Sequence, residues 1–268
     1  MAEFKDVLVV KPSSSLAIVK LNRPAARNAM TITMARELEV VLNEIASDNA
    51  CRVVILAGEG AAFCAGLDLK ANQQRQLENP GISANIALQE QFSGLITQIR
   101  SMPQPVICAM QGAVAGAGLG LALACDVRIA TSTLKCLVGA VKIGLSAGEC
   151  GISYHLPRVI GASRAFEIML TGRPVLAEEA SQIGLVSRVV EPSDLMNCCM
   201  ELADSMLEVS PYSLQSTKKI MWQNLDSPSI QAAILLENQT QIVGLATSDF
   251  AEACSAFLEK RAPKFQGD

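Results

Sequence analysis

The chain of 268 residues holds a single histidine and no Cys-x-x-Cys pair. A zinc site draws on several imidazoles or paired thiolates, so none is expected. No run of about 18 apolar residues occurs, so a membrane-spanning helix is not expected either. Charged residues make up only 18 % and the net charge is −4, with a pI near 5.2, which argues against a broad nucleic-acid surface. The opening MAEFKDVLVV lacks a basic segment followed by an apolar stretch, so no secretory signal is expected. The closing Phe265-Gln-Gly-Asp268 carries no retention or peroxisomal address. The expected location is cytoplasmic.

What the chain does have is apolar mass. Half of its residues are hydrophobic, enough for a large core or for one domain with an appendage. The nine cysteines are not spaced as a disulfide framework. Cys64, Cys108, Cys125, Cys136 and Cys150 sit in apolar or Gly/Ala surroundings, and Cys198 and Cys199 are adjacent within an apparent helix. They read as small buried hydrophobes in a reducing compartment.

Taken in order, residues 7–10 and 16–21 read as a hairpin around Lys11-Pro-Ser-Ser-Ser15. A loop from Asn22 to Ala29 precedes an amphipathic helix with Met30, Met34, Leu38, Val41, Leu42 and Ile45 on one face. Residues 52–57 and 105–110 are short apolar runs rich in Val and Ile, which predict strands buried on both faces. Lys70–Ala84 is polar and broken by Asn79-Pro-Gly81, and is expected to be a mobile loop before a helix at 85–100. Further strands are expected at 126–130 and 135–142, a turn-rich stretch at 143–151, and helices near 162–170 and 177–183. Beyond Pro192 the helix-start signals Ser193/Asp194, Ser210-Pro211, Ser227-Pro228 and Thr247/Ser248 follow one another. The expected division is an α/β core over residues 1–191 and a helical part over 192–268.

Each of the two buried runs opens into a loop of small residues, EGAAFCAGLDL at 59–69 and QGAVAGAGLGLALACD at 111–126. The second leads into Leu119–Ala124, which reads as the start of a helix. Small residues let a ligand approach the main chain, and unpaired N–H groups there attract negative charge. Two such loops side by side can aim two amides at one oxygen, an oxyanion hole.

Phe63-Cys-Ala-Gly-Leu-Asp-Leu69, together with the Gly/Ala loop ending Ala124-Cys-Asp126, resembles the crotonase superfamily, the enoyl-CoA hydratase/isomerase family. The resemblance extends to Leu21-Asn-Arg-Pro24 with Asn28-Ala29, Leu156-Pro-Arg-Val-Ile-Gly161, Leu170-Thr-Gly172, Glu179-Ala180, Gly184-Leu-Val186 and Phe257-Leu-Glu-Lys-Arg261. It implies a spiral of ββα units with a helical C-terminal trimerisation region, assembled as a homotrimer or homohexamer. The implied substrate is an acyl-CoA thioester, with coenzyme A as part of the substrate and no other cofactor. The implied oxyanion donors are the amides of Ala65 and Ala117. Gly116, Leu67, Asp68 and Leu69 would line the coenzyme A path, Arg27 or Lys70 would face phosphate, and Phe257 and Lys260 would reach it from a neighbouring subunit. Placement at a helix C-terminus accounts equally for Lys260 and Arg261.

The family's hydratases use two glutamates, and those positions fall on Gly120 and Ala140, which move no proton. The nearest remaining carboxylate is Glu149, set among Gly, Ala and Cys, where desolvation would raise its pKa. One carboxylate suits a 1,3-proton shift better than addition of water. His155 and Tyr154 are the only neighbouring partners for a hydratase, and His155 sits in an apolar context. The other reading is a folded acyl-CoA binder that kept the hole and lost its proton-transfer groups. Gly144-Leu-Ser146-Ala-Gly148 matches a nucleophile elbow, but the lone histidine lies nine residues on and no late one exists. Gly116-Ala-Gly118-Leu-Gly120 does not complete a dinucleotide fingerprint, since Leu121 and Leu123 stand where the third glycine belongs.

Overall fold

The computed structural model describes residues 4–267. The hairpin forms as expected, with β1 (Val7–Ser13) and β2 (Leu16–Leu21) paired antiparallel. Thr31 caps α1 (Ile32–Ala46), its side-chain oxygen accepting from Met34 N at 3.1 Å. Met34, Leu38, Val41, Leu42 and Ile45 form the buried stripe of that helix, and Met30 is buried just before it.

β3 (Val53–Gly58) runs parallel to β2, and every residue of it is buried. The expectation of a mobile loop after residue 70 is wrong. Residues Leu69–Glu78 form α2 and Ile82–Ser101 form α3, with only Asn79-Pro-Gly81 between them. Asp68 caps α2 by accepting from Ala71 N at 3.0 Å, and most of the residues that follow are straight-chain helix formers. No residue of α2 is buried, so it has no apolar stripe for the sequence to show. In α3 the stripe is Leu88, Phe92, Leu95, Ile96 and Ile99.

After α3 the chain makes β4 (Val106–Met110), a short strand β5 (Ala113–Ala115) and α4 (Ala117–Ala124). The small-residue loop is therefore shorter than expected, and the helix begins at Ala117. Next come β6 (Val127–Thr131) and β7 (Lys135–Leu137). The strand expected to reach 142 stops at Leu137, and Gly139–Ile143 turns as a 3-10 helix. α5 (Ile152–Ile160) carries Pro157 in its interior, a residue that hides a helix from any propensity reading. The core is completed by α6 (Ala162–Thr171), β8 (Val175–Leu176), α7 (Ala177–Gln182) and β9 (Arg188–Val190).

Two sheets result, one in the order β1-β2-β3-β4-β6-β9 and one in the order β5-β7-β8. Successive units give one strand to each sheet and then a helix, β4-β5-α4 and then β6-β7-α5, which is the ββα spiral. Along β3, Val54 and Leu56 join the core shared with α1, α3 and α4. Val53, Ile55 and Ala57 face a second cluster closed by Leu195, Cys199 and Ala203 of α8 (Leu195–Leu207). Burial on both faces is why these strands read as unbroken apolar runs. α9 (Pro211–Asn224), α10 (Ile230–Leu245) and α11 (Ser248–Glu259) follow, so the region after 192 is helical as expected. Ser210, Ser229 and Thr247 cap them through their side chains, the second cap lying two residues beyond the expected Ser227. All nine cysteines are free thiols; Cys198 is partly buried and Cys254 exposed. No helix among the described residues is long and apolar enough to cross a membrane.

Candidate active site

The loop after β3 and the bend between β5 and α4 are laced together. Cys64 N donates to Ala113 O at 3.1 Å, and Ala115 N donates to Cys64 O at 2.9 Å. This pairing brings Gly66 against Gly116. A methyl group on Gly66 would stand 2.9 Å from Ala115 O and 3.7 Å from Gly116 Cα. Both glycines also take left-handed backbone, φ 89° and 48°, so neither position accepts a side chain without strain.

Ala65 is not available as the donor that the resemblance implies. Its N–H donates to Arg27 O at 3.0 Å. The unengaged amide of that loop is Leu67. Met30 N donates to Gly66 O at 2.7 Å and Asp68 N donates to Met30 O at 3.0 Å, a parallel bridge that passes over Leu67. Extended backbone alternates the direction of its amides, so the Leu67 N–H points away from Met30. The Ala117 N–H is one of the orphan donors at the start of α4. Neither amide has an acceptor among the described residues. Each belongs to the peptide bond that follows one of the two touching glycines.

Glu149 reaches the same spot from the 144–151 turn. Its Oε1 lies 3.2 Å from where a Cβ on Gly116 would be. The carboxylate is partly buried, has no hydrogen-bond or ion-pair partner among the described residues, and burial raises its pKa above the ordinary range. Beside it the Cys150 thiol is pushed up to about 12, first by burial and then by the Glu149 charge, so it stays protonated and inert.

Neither hydratase position carries an acid, and Gly120 is closed for steric reasons as well. A Cβ at Gly120 would lie 2.6 Å from Cys150 O and 2.7 Å from Cys150 Cβ. Ala140 is buried at 6 % exposure in the 3-10 turn. Grafting the missing acid as Gly120→Glu is expected to destabilise the fold by roughly 1–3 kcal/mol through overpacking, without creating hydratase activity. Urea denaturation and a crotonyl-CoA hydration assay check this together.

His155 does not face this crevice. It is 4 % exposed, with Arg100 Nη1 at 3.1 Å from Nδ1, and burial followed by the Arg100 charge lowers its pKa to about 4. Tyr154 OH donates to Asp226. Ser146 Oγ accepts from Gly148 N at 3.1 Å and has no histidine beside it, so no nucleophile elbow exists here.

A cleft of about 810 Å³ adjoins Leu67, lined among others by Arg23, Pro24, Ala26, Asp68, Asn72 and Arg75. Of the residues implied for coenzyme A, Leu67 and Asp68 line it. Leu69 and Lys70 sit exposed at the start of α2, and Arg27 points to solvent while its carbonyl holds Ala65. Arg27 and Lys70 are therefore not the cations of this cleft. Arg75 lines it together with Lys5 and Arg23, and the sequence hid Arg75 in the supposed mobile loop. Its guanidinium bonds Asn72 Oδ1, Ala84 O and Asn85 Oδ1, all neutral acceptors. Arg23 is bound to Asp68 at 3.0 Å, and the Ala71 N–H and Arg23 hold the Asp68 carboxyl below its usual range. Phe257, 83 % exposed, and Lys260 lie at the end of α11, outside the cleft of their own chain.

The sequence model of enoyl-CoA hydratase/isomerase matches residues 11–268. A probable enoyl-CoA hydratase of Mycobacterium tuberculosis is 41 % identical over 267 residues, covering 98 % of this chain and 93 % of that protein. A crystal structure of a putative enoyl-CoA hydratase from Streptomyces coelicolor superposes with a TM-score of 0.94 at 33 % identity, covering 100 % of this chain and 96 % of that one. A monofunctional enoyl-CoA isomerase from Mycobacterium smegmatis gives 41 % identity and a TM-score of 0.73, covering 85 % of this chain and 98 % of that one. With the ββα spiral, the paired glycine bends and the matching length in agreement, the chain belongs to the enoyl-CoA hydratase/isomerase family of enzymes.

Proposed function

We propose that the protein shifts a double bond along the acyl chain of a coenzyme A thioester, by proton transfer through an enolate. The observation that carries this reading is a single desolvated carboxylate, Glu149, beside the free amides of Leu67 and Ala117. Glu149 removes a proton from C2 of a 3-enoyl thioester, and the electron pair moves onto the carbonyl oxygen. The two amides hold that oxygen more tightly as its charge grows, which lowers the barrier. Glu149 then returns its proton at C4, leaving the 2-enoyl thioester. No second carboxylate stands at either hydratase position to split a water, and the likeness to an enoyl-CoA isomerase agrees with this choice.

Coenzyme A lies along the cleft beside Leu67 and Asp68, with Arg75 facing phosphate, and no further cofactor takes part. Subunits assemble as a homotrimer or homohexamer through the C-terminal helices. In support, none of the residues of α10 is buried, although Ile230, Ile234, Leu235, Ile242, Val243 and Leu245 are among them. Phe257 and Lys260 then serve the neighbouring subunit's coenzyme A.

Absorbance of the conjugated thioester tests the reaction. It is expected to rise with a 3-enoyl-CoA and to stay constant with crotonyl-CoA in water. Faster loss of the crotonyl signal would make the enzyme a hydratase. Tight acyl-CoA binding with no turnover of either would make it a binder that has lost its chemistry. The amide assignment has its own test. Leu67→Pro removes an N–H that the fold does not use, and is expected to lower kcat about 10²–10³-fold with KM little changed. Ala65→Pro breaks the bond to Arg27 O instead, so its first effect is on stability.

A further inference from the structure

A second cleft, of about 1130 Å³, opens between α3, α5 and α9. Its lining runs from Gly151, at the start of α5, to Lys218 and Trp222, which meet Asp126 just past the end of α4. Nothing in the proposed reaction uses it. Ile96, Met102, Tyr154, Tyr212 and Trp222 give it an apolar, aromatic wall, and Arg100 stands inside.

Arg100 is an unusual cation. Its guanidinium carbon lies 3.5 Å from the centroid of the Trp222 ring, and Nη1 contacts the His155 ring nitrogens at 3.1 and 3.3 Å. The neutral imidazole offers it one lone pair and no charge. Its Nε is buried and has no hydrogen-bond partner. No carboxylate among the described residues lies within ion-pair distance. The nearest acids are engaged elsewhere, Asp226 with Tyr154 and Arg158, and Asp126 with Val106 N, Trp222 Nε1 and Lys218. Burial lowers the pKa of Arg100, the sign of a charge held without full compensation. Two lysines also line the cleft, Lys218 paired with Asp126 and Lys219 exposed. A guanidinium recognises a planar oxyanion through paired hydrogen bonds, and an aromatic wall favours one carried on an apolar body.

We infer that this cleft binds a small amphipathic carboxylate, its head on Arg100 and its apolar body against Trp222 and Tyr212. The inference is independent of the reaction assigned above. Because α9 supplies Trp222, Tyr212 and Lys219 while the core supplies Arg100, a bound carboxylate clamps the C-terminal helices onto the core.

Trp222 is the only tryptophan of the chain, so its fluorescence reports the cleft directly. Titration of the full-length protein with sodium octanoate is expected to give a saturable change. Octanamide, of the same shape without the charge, is expected to give none, and excess coenzyme A to leave the octanoate signal in place. Arg100→Gln is expected to raise the Kd roughly tenfold to a hundredfold, with Arg100→Lys in between. The inference is overturned by an unsaturable response, by an equal response to octanamide, by a stronger one to inorganic phosphate, or by loss of the signal on adding coenzyme A. The octanamide and coenzyme A arms need no variant, so the test stands even if Arg100→Gln unfolds.

Discussion

Glu149→Gln is expected to lower kcat for the 3-enoyl-CoA shift by roughly 10²–10⁴-fold, the usual contribution of a positioned acid/base group. Acyl-CoA affinity should change little, because glutamine keeps the shape of the carboxyl and the amides of Leu67 and Ala117 are untouched. The pH dependence has a fixed sign. The base works only when ionised, so kcat/KM of the wild type rises with pH through the raised pKa of Glu149. Stability runs the other way. Between the unfolded and the raised folded pKa the native state binds more protons than the unfolded one, so stability falls as pH rises across that window. Glutamine cannot ionise, and the variant should therefore be no less stable than wild type at neutral pH and insensitive across the same window. A variant that loses activity and stability together would show Glu149 to be structural.

Asp126→Ala is expected to cost about 3–5 kcal/mol. Asp126 accepts from Val106 N at 2.7 Å and Trp222 Nε1 at 2.6 Å, and pairs with Lys218 Nζ at 3.1 Å. Lys218, with a side chain 4 % exposed, also donates to Ile99 O and Gln104 O at 2.9 and 2.8 Å. Removing the acid leaves a buried ammonium without its counter-charge. Removing the lysine leaves an acid that keeps two donors, so Lys218→Met should cost less, about 1–3 kcal/mol. Urea denaturation followed by circular dichroism gives both values, and the reverse order would refute the account. This cluster ties α9 to the α4–β6 junction, so the Asp126 variant should also loosen the C-terminal helices.

Several features were legible without coordinates, and each rested on local pattern. The two-sided burial of β3 and β4 shows as unbroken Val/Ile runs, and the stripe of α1 shows as a helical period. The apolar setting of His155 also followed from neighbours in the chain. Errors arose where the deciding contact was distant or absent. α2 buries nothing and so carries no period, and Pro157 masks α5. The resemblance implied Ala65 as the donor, and a string of small residues cannot show which amide is already engaged. That depends on Arg27 and Met30, some 38 residues earlier, folding back alongside the loop.

By itself the sequence determined the buried strand runs, the helical tail and the two small-residue loops, because each is written in residue type and short spacing, while the ββα spiral and the loss of both hydratase acids came with the family resemblance. The tertiary structure alone decided which amides are free, that Glu149 stands against Gly116 while His155 is turned to Arg100, and that Arg75 rather than Arg27 lines the cleft. Hydrogen bonds and desolvation act through space, and the partners that set them come from turns of the spiral far apart along the chain.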